Sequence, residues 1–314
     1  YIIKNGTSGA YTVQLKAASG SGATVTFSAT DKGYKIIYLD GVATNTGVYD
    51  VNSNLSDITV NDLTVNGAFE ALGTIKLDGN YPTGTNNVAL GDTALDSGSL
   101  SGGNNTAIGN AALTVNTSGV DNTAVGDLSL DANTTGGRNT AIGRVSLSSN
   151  TTGGDNVSIG RSALTSNSTG CKNVAVGYGA LLSNTEANDN IAVGYQSLEQ
   201  NTTGTSNIAV GCGALESNTT ASDNVAMGKR ALGGTTTGCR NTAMGRAAMN
   251  GNSTGDTNVA VGYSALYSNT TADNNTAVGS QALCTNTTGA HNVAVGARAG
   301  DANTTGTQNT FVGG

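Results

Sequence analysis

The sequence has no tryptophan, one proline, one histidine and three phenylalanines among its 314 residues. Charged residues make up 11% and aromatics 4%, where an ordinary soluble domain carries about 25% charge. An enzyme of this length buries a core rich in Phe, Trp and Leu and gathers ionisable groups in a cleft. The material for both is missing, so a non-enzyme without cofactor or metal is expected. Collagen is excluded because glycine does not fall at every third position and proline is nearly absent. Intrinsic disorder goes with high charge and few β-branched residues, the reverse of what is here.

No run approaches the length of about 18 apolar residues that a spanning helix needs, so no membrane insertion is expected. Fourteen basic residues stand against 21 acidic ones, for a net charge of −7. With no basic block among them, nucleic acid is not an expected partner. The chain opens on Tyr1 with no signal-peptide pattern, so it reads as a portion of something longer.

What is present is a repeat. Gly109, Gly126, Gly143, Gly160 and their successors to Gly313 recur every 17 residues, and Gly91 joins the series with one extra residue. Around each lies Asn-[Thr/Val/Ile]-Ala-[Val/Ile]-Gly-x-x-[Ala/Ser]-Leu-x-x-Asn-Thr-Thr-Gly-x-x, as in Asn173–Gly177 and Asn207–Gly211. This period is too short for a helix pair or a propeller blade and suits one coil of a parallel β-solenoid. A strand is expected at Asn-x-Ala-Val and a second at Ala-Leu-x-x, with Asn-Thr-Thr-Gly as the turn. Glycine would permit positive φ there, and asparagine would satisfy its own backbone or stack as an amide ladder. Ala187, Ala221 and Ala272 replace the turn glycine, so positive φ is not expected in every coil. Coils stacked about 4.8 Å apart make a rod of roughly 60 Å.

In such an array each surface position becomes a column along the axis. The position five before each repeat glycine runs Asp121, Arg138, Asp155, Lys172, Asp189, Ser206, Asp223, Arg240. Opposite charges alternate there, which predicts weak attraction between coils. In the strand, x and Val face one side and Ala the other. Neither side is polar, so both are expected to be buried, one inside the coil and one against an identical chain.

Residues 1–50 read as a small antiparallel β module. Val13 and Leu15 alternate in one strand, Val25 and Phe27 in the next, and a further strand covers Tyr34–Leu39. Residues 51–81 hold the near-duplicate Ile58–Asn61 and Leu63–Asn66 and read as a β-rich connector. The only proline, Pro82, sits where the repeat array of 82–314 begins.

The Asn-x-Ala-Val-Gly array resembles the head repeats of trimeric autotransporter adhesins, which are built on a very similar Val-Ala-Ile-Gly core. The longer Asn-Thr-Thr-Gly corner is a departure from that pattern. Tyr1–Val13, continuing to Ile36–Gly41, is similar to a module of bacteriophage tail fibres, cyanophages included, and Asp57–Gly67 to the connector that follows it. The resemblance implies an all-β fold in which parallel β-rolls form a homotrimeric fibre. It also implies attachment to a host-surface glycan or protein, other tail proteins as neighbours, and a place in the virion. The head of a bacterial adhesin at the cell surface is the alternative reading, and a polysaccharide depolymerase a third.

Few residues offer chemistry. His291 falls in a variable loop with no partnered nucleophile or carboxylate, and reads as a bystander. Cys171, Cys212, Cys239 and Cys284 lack zinc-site spacing. Cys171 and Cys239 lie four coils apart, roughly 19 Å at strand spacing, beyond the reach of a disulfide, so free thiols and assembly in a reducing host cytoplasm are expected. Glu199 and Glu216 stack on neighbouring coils and are the nearest approach to a glycosidase pair. The adjacent threonines of the corner should diverge, unlike the flat Thr-x-Thr face of ice-binding solenoids. Tyr178, Tyr195 and Tyr263 follow the repeat glycine and are the candidate surface contacts.

Overall fold

The computed structural model describes the strands β1 to β5 by their backbone and residues 84–313 in full. The chain divides into two compact units, Tyr1–Thr74 and Ile75–Gly314. In the first, β1 (Ile2–Lys4), β4 (Tyr34–Leu39) and β5 (Val48–Asp50) pair antiparallel in that order. β2 (Val13–Lys16) pairs antiparallel with β3 (Thr24–Phe27), placing Val13 opposite Phe27 and Leu15 opposite Val25. The turns between these strands, the proposed connector of 51–81 and Pro82 lie outside the described residues.

The second unit is a parallel β-solenoid. Its strands run from β6 (Val88–Leu90) to β19 (Thr310–Val312) as one 14-stranded sheet in strict sequence order. Pairing is in register with the 17-residue period, as where β10 (Val157–Ile159) meets β11 (Val174–Val176) with Ser158 opposite Ala175. Each coil carries a single three-residue strand. Its central residue, alanine except at Ser158 and Phe311, points inward and is fully buried in most coils, as at Ala107, Ala175 and Ala243. Against it packs the leucine four residues after the repeat glycine, fully buried from Leu113 to Leu283, with Met249 in one coil. Each such leucine contributes about 2 kcal/mol of apolar burial.

No second strand forms at Ala-Leu-x-x. That segment is a turn, and its leucine is left-handed, with φ 52° at Leu113 and 52° at Leu181. From Gly102 onward the corner glycines are not the residues at positive φ either. Besides the repeat glycine, three positions per coil adopt it: two and four after that glycine, and five before the next, as at Ala111 (53°), Leu113 (52°) and Asp121 (58°). Left-handed backbone costs an ordinary residue roughly 1–2 kcal/mol. Hydrogen bonds hold it in place: the N–H of Ala111 donates to Asp92 O and that of Asp121 to Gly103 O on the preceding coil, while Leu113 N–H donates to Ser129 O on the following one.

The repeat glycine is obligatory for two reasons. Gly109 has φ 136°, and a Cβ there would stand 2.5 Å from the Gly126 carbonyl oxygen of the next coil. A Cβ built on a corner glycine would meet the Asn side chains and the next coil's carbonyl, yet Ala187, Ala221 and Ala272 stand at this position, so the corner shifts to seat a methyl group.

Two asparagine spines close the coil. Asn122 Nδ2 donates to Asn105 Oδ1 at 3.1 Å and to Gly136 O at 2.9 Å, and the Asn122 N–H donates to the same Asn105 Oδ1 at 3.0 Å. On the other side of the corner, Asn133 Nδ2 donates to Asn116 Oδ1 at 2.9 Å and to Gly136 O at 3.0 Å. Both spines are fully buried over most of the array. A buried amide is tolerable only when its polar atoms are paired, and the repeat supplies the pairing from coil to coil. Asparagine therefore both binds local backbone and stacks as a ladder.

Candidate functional site

Three surfaces of the solenoid carry exposed features. The first is the outer face of the sheet. The residues flanking the inward alanine point out of the coil, and every one from Val88 to Val312 is Thr, Val, Ile, Leu or Met. Ile159 stays 37% exposed and Val295 45%. The apolar outer face anticipated from the strand pattern is half-open in the single chain, and alanine is the inner one.

The second surface is the column just after the repeat glycine. Gly109 to Ala112 form a β-turn closed by Ala112 N–H to Gly109 O at 3.4 Å, and the side chain at its second position projects outward. Successive coils place there Asn110, Asp127, Arg144, Arg161, Tyr178, Tyr195, Cys212, Lys229, Arg246 and Tyr263. Neighbours touch: Asn110 Nδ2 donates to Asp127 Oδ1 at 2.9 Å, and Arg144 Nε lies 3.2 Å from Asp127 Oδ2. The Arg161 guanidinium lies 5.7 Å from the Tyr178 ring centroid, and Tyr178 stacks on Tyr195 at 5.4 Å and 12°. Tyr263 is separate from that pair and stands beside Arg246, whose guanidinium lies 5.9 Å from its centroid.

Around Tyr263 the surface deepens into a groove of ≈ 720 Å³ over four coils. Lys229, Arg230 and Arg246 line it together with Tyr263, Tyr267 and Gln281. The sequence reading missed Lys229, Arg230, Arg246 and Tyr267. Their signal lies in three columns taken together, one, two and five residues after the repeat glycine, because the turn brings those columns to one side.

The third surface is the charged column five before the glycine. Arg138 and Asp155 form a two-pronged ion pair, at 2.5 Å from Nε and 2.8 Å from Nη2. The Arg138 guanidinium holds the Asp155 carboxyl below the usual carboxylate range. This is the one direct ion pair between neighbours of that column among the described residues. Asp121 instead accepts from Asn104 Nδ2 at 3.1 Å, and Arg240 reaches Asp256 in the adjacent column at 3.4 Å.

The remaining candidates are quiet. Glu199 is half-buried and accepts a hydrogen bond from Gln196 Nε2 at 2.7 Å. Glu216 is half-buried in the same column on the next coil. His291 is exposed. All four cysteines are free thiols, and burial pushes the Cys284 thiol up. The corner threonines diverge: Thr134 Oγ1 donates to Thr151 O at 3.0 Å, whereas Thr135 faces solvent. Among the described residues no three His, Cys, Asp or Glu side chains gather as a metal site, and no helix is long and apolar enough to cross a membrane.

The chain matches no known family model, no curated protein and no solved structure.

Proposed function

We propose that this chain is a structural part of a phage tail fibre, assembled as a homotrimer and mediating attachment to the host surface. The small antiparallel module at its start and the solenoid belong, on this reading, to the virion, with other tail proteins as neighbours. The observation that carries it is the outer strand face. Its aliphatic column runs from Leu90 to Val312 without a single charge, whereas the exposed columns one after and five before the repeat glycine carry most of the array's charges. Fully burying a Val, Leu or Ile side chain is worth roughly 1.5–3 kcal/mol. With about a third to a half of that surface still open, each coil offers roughly 0.5–1 kcal/mol to a partner face. Summed over the array this is of order 10 kcal/mol, comparable to the cost of association. One coil would fall far short of that cost, and only a long array can match it.

Attachment then works by multivalency. Three chains present the same columns side by side, so weak contacts add through effective concentration. Light scattering on the purified chain tests the assembly: a mass of three chains is expected, and a stable monomer at micromolar concentration removes the trimer. Competition with phage for host cells tests the attachment, and the absence of competition leaves the segment a spacer.

A further inference from the structure

We infer that the groove over Lys229, Arg230, Arg246, Tyr263 and Tyr267 is a binding site for a linear acidic glycan, one bearing carboxylate or sulfate groups. The inference deepens the attachment reading and rests on it for the class of ligand.

Three observations point to an anion. Lys229, Arg230 and Arg246 are exposed, and none takes part in an ion pair among the described residues. No aspartate or glutamate lines the groove, in a protein whose net charge is −7. Elsewhere in the same column the cation Arg144 is neutralised by Asp127. Three unpaired cations gathered in a net acidic surface make a local attractive field for an anion.

Two further observations point to a sugar chain. Tyr263 and Tyr267 leave their rings 50% and 43% exposed, and a tyrosine ring offers an apolar face for the C–H surface of a pyranose with a hydroxyl at its rim. Arg246 against Tyr263 holds one ring and one charge together. Gln281 lines the groove and offers its amide to sugar hydroxyls. The groove spans four successive coils, so a linear polymer laid along the stacking axis meets a new rung at each step. A single-stranded nucleic acid is the competing occupant, and its successive bases would need more stacking faces than the two tyrosines of the groove provide.

Titration calorimetry on the full chain tests the proposal, with a galacturonate hexamer, the neutral maltohexaose and an oligothymidylate as probes. The hexamer should bind and weaken as salt is added, and maltohexaose should not bind detectably. Arg246→Gln and Tyr263→Leu should each lower affinity about tenfold, while Arg144→Gln, outside the groove, leaves it unchanged. Circular dichroism confirms that the variants fold. No binding by the hexamer, equal binding by maltohexaose, tighter binding by the oligothymidylate, or unchanged affinity in both groove variants would overturn it. Binding by a chain that light scattering finds monomeric sinks the trimer and leaves the groove standing.

Discussion

Asn218 and Thr235 occupy the same position on adjacent coils, and Asn218 Oδ1 and Thr235 Oγ1 are both buried without a hydrogen-bond partner. Elsewhere on this spine an asparagine amide bridges the gap, as Asn201 Nδ2 does to Asn184 Oδ1 at 3.0 Å. Thr235 is too short to reach, and the ladder is interrupted there. Thr235→Asn should restore it, with the new amide donating to Asn218 Oδ1 and accepting from Asn252 Nδ2. A gain of about 1–2 kcal/mol is expected, read as a higher denaturant midpoint. A lower midpoint would show that the site cannot seat the amide.

The two kinds of glycine should respond differently to a methyl group. At Gly211, with φ 137° and the Gly228 carbonyl oxygen 2.6 Å from a built Cβ, alanine should cost roughly 3 kcal/mol or more. At Gly204 a built Cβ also meets the Ala221 carbonyl oxygen and the Asn201 side chain, but the backbone is not left-handed there and Ala187, Ala221 and Ala272 hold the same position in other coils, so alanine should cost less, about 1–2 kcal/mol. Equal losses in thermal unfolding would contradict the distinction.

Asp131 supplies a pH test. Burial pushes its carboxyl above the usual carboxylate range, and its Oδ1 has no partner. A folded-state pKa above the unfolded one penalises the folded state at neutral pH, and the penalty fades as pH falls through the raised value. Asp131→Asn should therefore stabilise at about pH 7 by a few tenths of a kcal/mol, the site being partly open to solvent. The gain should disappear near pH 3. Melting temperatures of both proteins across that range check the sign, and a gain that grows on acidification refutes it.

Val176→Lys combined with Val210→Lys places two charges on the outer strand face without touching the buried alanines. The far-ultraviolet spectrum should stay that of the parent, while, on the trimer proposed above, the mass in solution falls from that of three chains to that of one. Retention of the trimeric mass would put the interface elsewhere on the coil.

The period and the corner asparagine ladder were legible because each rests on a residue type fixed at one place, whereas the second spine, through Asn105 and Asn122, was hidden in what read as the start of the strand. The inner face was not legible, since alanine and valine are both apolar and only size separates them. Leu113 looked like part of a strand because apolar neighbours imply one, and nothing in leucine signals a left-handed backbone. The column from Asp121 to Arg240 was read as electrostatic pairing, yet the backbone is left-handed at every one of its positions. Asn86, Asn104, Asp121, Asp155 and Asn274 there are the residue types that tolerate this conformation best. Part of the charge pattern is thus a record of backbone geometry. Tyr178 and Tyr195 come together as their spacing suggested, whereas the groove around Tyr263 depends on how the turn gathers three columns.

The sheet from β6 to β19 sets its interstrand hydrogen bonds along the stacking direction. A pull along that direction loads the coils in series, every boundary bearing the whole force. Yielding then proceeds one coil at a time from an end, and each coil that opens releases 17 residues, a contour of about 55–60 Å, from a height of about 4.8 Å. A tether built this way lengthens more than tenfold at each yielding coil before its backbone is strained, and so absorbs a sudden load instead of passing it to whatever it holds.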